Sequence, residues 1–216
     1  MCCSITQSLR FLLVLLSFAV VTACYGDEAI VYQRTYTNGT LTIRRAPVPR
    51  AEMQEVERRM KANPPKKGIA VPNDTMLRMD WRHASDEAVL LWKKGFVIKN
   101  RPAYLKNMDP RISDDLPVIT AAFFSEQRIA VVIYQLFGEI LGEVIHLGTQ
   151  PNQDLNEQYL KSIIVSPTGA RVLSADVRLS VGQLGVVATL HDDGGREFLV
   201  RHTPDGWKKV SVPESK

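Results

Sequence analysis

Residues 185–212 read GVVATLHDDGGREFLVRHTPDGWKKVSV, and the alternation within this stretch decides the fold. Runs rich in Val, Leu and Thr (GVVATLH, REFLVRH, WKKVSV) are separated by Asp192-Asp193-Gly194-Gly195 and Thr203-Pro204-Asp205-Gly206. Asp and Gly serve turns for different reasons: the carboxylate accepts hydrogen bonds from backbone amides just ahead of it, and glycine reaches positive φ without steric cost. Toward the amino terminus, ARVLSADVRL (170–179) and KSIIV (161–165) continue the rhythm across Ser166-Pro167-Thr168-Gly169. Short strands at regular spacing with such turns predict an antiparallel meander.

Farther upstream the same logic meets one ambiguity. VITAAFF (118–124) and RIAVVIYQLF (128–137) can pair as strands across Ser125-Glu126-Gln127, and their β-branched content favours that pairing. The competing reading is a helix over 126–147. Ile129, Val132, Ile133, Leu136, Phe137, Ile140, Leu141, Val144 and Ile145 follow three-and-four spacing, with Gln135, Glu139, Glu143 and His146 opposite. Gly138 and Gly142 count against a helix, at about 1 kcal/mol each relative to Ala. Strands are therefore preferred, and the helix stays open. Earlier in the chain, IVYQRTYTNGTLTIRR (30–45) sets Asn38-Gly39 between two Thr-, Ile- and Tyr-containing runs. That is the pattern of a hairpin with a type I′ turn, whose two central residues take positive φ. Pro47-Val48-Pro49 breaks the strand, and AEMQEVERRMKA (51–62) then places Met53, Val56 and Met60 at helical spacing. Glu55 stands four before Arg59 and Glu57 four before Lys61, the spacing that supports a short exposed helix. Residues 76–81 and 89–98 read as strands around a polar turn from His83 to Glu87, and residues 99–117 as an irregular connection.

The amino terminus is not part of this domain. MCCSITQSLR carries Arg10 as its one charge and runs into FLLVLLSFAVV, a charged n-region followed by an apolar h-region. About eleven apolar residues fall short of the roughly 20 that a membrane-spanning helix needs. The h-region ends in Val21-Thr22-Ala23-Cys24, which resembles the lipobox of bacterial lipoproteins. The resemblance implies diacylglyceryl transfer to the Cys24 thiol and cleavage before it. Residues 1–23 are then a signal peptide, 24–29 a lipidated tether, and 30–216 a mainly antiparallel β domain. Ordinary cleavage after Ala23 is the alternative. Cys2 and Cys3 leave with the leader, however, and an odd exported thiol needs an explanation that acylation supplies. Two or more acyl chains anchor a protein stably where one holds it only marginally. By the same resemblance, Tyr25 in place of an Asp retention signal implies sorting to the outer membrane.

Lys and Arg number 27 against 23 Asp and Glu, and the leader removes only Arg10. So slight an excess, spread along the chain, argues against a nucleic-acid binder, which gathers cations on one face. With one mature cysteine there is no internal disulfide, and burial of a 45% apolar chain must hold the domain together. One domain is the default, with a split near residues 62–72 as the alternative.

Residues 191–198, HDDGGREF, place Asp193, Gly195 and Phe198 at the spacing of an Asp-box. This stretch resembles that hairpin of sialidase-like and related propeller repeats, with His191 where the repeat has Ser. The resemblance implies a folding device: the Asp193 carboxylate on turn amides, Gly195 at positive φ, and Phe198 plugging the sheet. Asp205-Gly206-Trp207 is a shorter echo, and the copies are too few for a complete propeller.

Chemistry-bearing patterns are scarce. His83, His146, His191 and His202 are scattered, without zincin or Cys/His ligand spacing, so neither a metal nor a cofactor is expected. His191 and His202 can face each other across the last hairpin, with Asp192 and Asp193 beside them, and exposed hairpin polar groups are the simpler explanation. Glu139 and Glu143 come together only on a helix. A Gly-x-Ser-x-Gly elbow, a Cys-His pair and phosphate-cradling glycine loops are all missing from the text, which disfavours an enzyme. Trp81, Trp92 and Trp207 lie in strand-like text where core packing accounts for them, and Trp207 doubles as a candidate anchor for a partner.

The expectation is an α+β domain, mainly antiparallel sheet, with a short N-terminal helix and room for a second. Lipobox, β body and Asp-Gly-Gly hairpin together resemble the lipase-immunity lipoproteins of type VI secretion systems. That resemblance implies an outer-membrane lipoprotein facing the periplasm that occludes an incoming toxin by surface complementarity. Its binding residues would be drawn from His191, Asp193, His202 and Trp207. An envelope assembly or adaptor lipoprotein that binds a protein or glycan is the second reading. A hydrolase built around His191, Asp193 and His202 is the third.

Overall fold

A computed structural model of the chain describes residues 28–62, 73–84, 86–98, 116–136, 139–148, 160–164, 172–180 and 185–210. The leader, Cys24, the Ser166–Gly169 turn and residues 99–115 of the expected irregular connection lie outside the described residues.

Among the described residues, strand alternation and turns build three antiparallel sheets of four strands each. The first contains β1 (Ala29–Tyr36), β2 (Gly39–Pro47), β3 (Thr75–His83) and β4 (Ala88–Phe96), in that order. The second contains β5 (Val118–Phe124), β6 (Ile129–Leu136), β7 (Glu139–His146) and the two-residue β8 (Ile163–Ile164). The third runs β12 (Gly206–Lys209), β11 (Glu197–Thr203), β10 (Val186–Asp192) and β9 (Val172–Leu179). Helix α1 (Arg50–Ala62) interrupts the first sheet between β2 and β3, whose pairing from Gly39↔His83 to Pro47↔Thr75 bridges the insertion.

The sheets stack with the second in the middle. Leu41, Ile43, Leu77 and Met79 of the first sheet pack on Ala121, Ala130, Val132, Tyr134 and Leu141 of the second. On the opposite side, Ile129, Val131, Ile133, Ile140 and Ile164 pack on Val186, Ala188, Leu190, Phe198 and Val200 of the third. β6 is thus buried on both faces, with Ala130, Val132 and Tyr134 in one core and Ile129, Val131 and Ile133 in the other. α1 remains minor: it buries no residue fully, and Met53 and Val56 share a depression with Val48, Met76 and Gly95 at one end of the first sheet. Glu55 accepts hydrogen bonds from Arg58 and from Arg59 Nε at 2.7 Å, so the i, i+4 pair forms as spaced.

Several expectations need correction. The helical alternative for 126–147 gives way to β6 and β7, paired from Ile129↔His146 to Leu136↔Glu139. A strand buried on both faces is apolar at every position, so its residues satisfy a helical period as readily as a β one. KSIIV does not extend the carboxy-terminal meander, because Ile163 and Ile164 pair with Leu141 and Ile140 of the central sheet. The first hairpin forms, but Tyr36 pairs with Gly39, leaving Thr37 and Asn38 as the loop, and Arg128 is the only described non-glycine residue with positive φ. Gly39 is needed for another reason: a Cβ there would lie 2.5 Å from the Arg82 carbonyl oxygen and 2.5 Å from the Trp81 ring. Close approach of β3, not turn geometry, selects the glycine.

Candidate functional site

The last hairpin holds the residues singled out in the sequence, and its register separates them. His191 pairs with Glu197 and with Ser174, which puts all three on the outer face of the third sheet. His202 lies an odd number of residues from Glu197 on the same strand, and successive side chains of a strand point to opposite faces. It therefore points inward, opposite Trp207 on β12, with the rings edge-to-face at 5.2 Å. His191 and His202 do not face each other, and the cluster of His191, Asp193 and His202 required by the hydrolase reading is not assembled.

The turn carboxylate is also one residue away from its expected place. Asp192 Oδ1 accepts hydrogen bonds from the amides of Gly194 at 2.9 Å and Arg196 at 2.8 Å, and Oδ2 accepts from Arg196 Nε at 3.0 Å. A bulge between His191 and Asp192 turns this side chain into the loop. The Arg196 amide above all, with the Arg196 side chain and the Gly194 amide, holds the Asp192 carboxyl below its ordinary range. Asp193 is left exposed at the tip. Gly195 at φ 74° and the buried Phe198 occupy their expected roles.

Trp207 faces the central sheet, where its Nε1 donates to the Gly142 carbonyl at 2.7 Å. A Cβ on Gly142 would come within 2.9 Å of that indole, so the glycine that weakened the helical reading is the seat of the tryptophan. His202 is pushed down to about 4, first by burial and second by His146. His202 and Trp207 are therefore packing groups between sheets, and of the expected binding residues only His191 and Asp193 face outward. Outside, the His191 ring spans two carboxylates, with Nε2 3.5 Å from Asp176 and Nδ1 3.4 Å from Glu197. Two rows along that face, past Asp176, Thr189 and Leu199, stand Arg178, Val187, Arg201 and Lys208, of which Arg178 and Lys208 are exposed and Val187 is buried.

The outer face of the first sheet went unremarked in the sequence. Register places Ile30, Arg44, Arg78 and Lys93 in one row, Gln33, Thr42, Asp80 and Leu90 in the next, and Thr35, Thr40, Arg82 and Ala88 in a third. Asp80 is 2% exposed and accepts from Arg44 Nη1 at 2.9 Å and Arg78 Nε at 2.9 Å. Arg44 and Asp80 line a depression of about 170 Å³ together with Ile30, Gln33, Thr40 and Arg82. Four cations, Arg44, Arg78, Arg82 and Lys93, against two carboxylates, buried Asp80 and Glu28 at 4.0 Å from Arg44 Nε, leave this face basic, although the charge is spread along the chain. A local signal for it existed in Arg78-x-Asp80-x-Arg82, whose period of two puts all three on one face; Arg44 arrives only through the β2–β3 register.

A third polar cluster joins the first two sheets. Glu143 on β7 accepts from Trp92 Nε1 at 3.0 Å, from Tyr134 Oη at 2.7 Å and from Lys94. All of its partners serve as donors to one carboxylate, the arrangement of an internal cross-brace. Among the described residues, no group of three or more His, Cys, Asp and Glu is placed to hold a metal ion, and no helix is long and apolar enough to cross a membrane. In comparisons with protein-family models, curated proteins and solved structures, the chain matches none.

Proposed function

We propose that the chain is a membrane-anchored periplasmic binding lipoprotein, tethered at the outer membrane through Cys24, that acts by holding a protein partner and not by catalysis. Its specific role in this reading is immunity: it waits at the membrane and occludes a secreted toxin. The observation that carries the reading is the outer face of the third sheet, where His191 lies between Asp176 and Glu197 and the exposed cations Arg178 and Lys208 stand two rows farther along. A broad sheet face with separated zones of both signs suits complementarity to a protein surface, which sets partner choice and register more than raw affinity. The lipobox residues Val21-Thr22-Ala23-Cys24, a few positions before β1, support the tether.

Mass spectrometry of the natively produced polypeptide is expected to show an acylated Cys24 as first residue. An unmodified start or a retained leader overturns the tether. Cells lacking the protein should be killed by the secreted effector encoded beside its gene, and survival ends the immunity reading. A neighbouring gene for envelope machinery in place of an effector would turn the reading to the adaptor role. Reversal of Glu197 to Lys is expected to lower recovery of the co-purifying partner at least tenfold, by placing like charge where the partner meets the acidic zone.

A further inference from the structure

We propose that the outer face of the first sheet lies on an anionic phospholipid surface, turning the third sheet away from the membrane toward its partner. Two observations carry this. The first is charge: Arg44, Arg78, Arg82 and Lys93 share the face and meet two carboxylates, Asp80, buried beneath the Arg44 and Arg78 guanidinium groups, and Glu28, 4.0 Å from Arg44 Nε, so cations stay in excess. Arg82 and Lys93 are exposed, and so are Ile30 at 56% and Leu90 at 45%, apolar side chains set among the cations. Cations interspersed with exposed aliphatic groups match a headgroup layer, which offers phosphates with acyl chains beneath.

The second observation is reach. Cys24 precedes Ala29, the first residue of β1, by about five residues, and a fully extended chain covers at most about 3.6 Å per residue, or roughly 18 Å. Ala29 pairs with Arg45, so the tether meets the sheet beside the row that runs Ile30, Arg44, Arg78, Lys93. An anchor that short holds this end of the first sheet at the bilayer. Helix α1 flanks the same end with both signs of charge, and its Glu52 lines one depression with Lys93. The first and third sheets occupy opposite sides of the central one, so seating the former leaves the latter free.

The proximity rests on the tether reading, whereas the attraction rests on charge alone, and the two fail separately. The full chain carrying Cys24→Ser would be floated with vesicles of phosphatidylcholine and with vesicles in which phosphatidylglycerol replaces part of it. Cys24→Ser is the background for the wild-type face and for every variant below, so that no acyl chain fixes it to both vesicle types alike. Each surface cation near an anionic leaflet is worth about fivefold in partition, falling with salt. The double variant Arg82→Gln, Lys93→Gln is therefore expected to lose roughly 25-fold on anionic vesicles and nothing on neutral ones. The control Arg178→Gln, Lys208→Gln, on the far sheet, should match the wild type, with unchanged thermal midpoints showing that both variants fold. Equal partition of wild type onto the two vesicle types overturns the proposal whatever the mass at Cys24, and an unmodified Cys24 with intact anionic preference fails the tether alone. Loss of a co-purifying acidic protein in the Arg82/Lys93 variant, without any lipid preference in the wild type, assigns the face to that protein and also overturns the proposal.

Discussion

At the scale of single residues, neighbours from other strands decide what a side chain does. Gly39 was marked by its Asn-Gly context as a turn residue, yet it is the Trp81 indole that fills the space a Cβ would need. Asp192 and Asp193 are chemically identical, and a bulge gives the turn amides to the first. His202 offers a residue-scale test. Its folded value of about 4 lies below the ordinary 6.5, so the unfolded chain takes up a proton that the folded chain refuses. Its contribution to stability is whole above about 6.5, drains away as pH falls toward 4, and changes no further below that. Replacing His202 with Phe keeps an aromatic ring against Trp207 and removes the titration. Urea midpoints measured across that window should fall less steeply in the variant, and parallel slopes would remove the linkage from His202.

Elements were more legible where their hydrogen bonds are local. The first hairpin, α1 and the β10–β11–β12 meander follow from turn residues and periodicity within a few positions of each other. β6 and β7 were ambiguous because burial on both faces erases the alternation that separates strand from helix. β8 was assigned to the wrong neighbours, since two residues carry no register of their own and Leu141 and Ile140 supply it. β6 is also where the greatest loss is expected. Ile133 is fully buried within the second core, and its truncation to Ala should cost about 2–5 kcal/mol through lost transfer energy and a residual cavity. Chemical denaturation would measure it. A cost below about 1 kcal/mol would mean that the two central layers can collapse onto each other at that point.

For the whole molecule, the shared central sheet has an energetic consequence. Two cores that use alternate residues of one strand cannot lose that strand separately. Trp81 belongs to the first core and Trp207 packs against the second, so variants retaining one indole each report on different layers. Their urea transitions should coincide, as for a single cooperative unit. Separate midpoints would divide the molecule into two units and weaken any argument that orients one outer sheet by the other. Glu143, held by Trp92, Lys94 and Tyr134, adds a polar brace across the first of these layers that spacing along the chain did not indicate.

Sequence by itself determined the mainly antiparallel strand content, the turns of the carboxy-terminal hairpins and an exposed helix after β2, because backbone preference and hydrophobic period act between residues a few positions apart. Only the tertiary structure decided how the strands divide into three sheets, which histidine points out, and that four scattered cations share one face. Register is the physical reason: moving a strand by one residue turns every side chain to the other face. That choice is made by burial against partners far away in the chain.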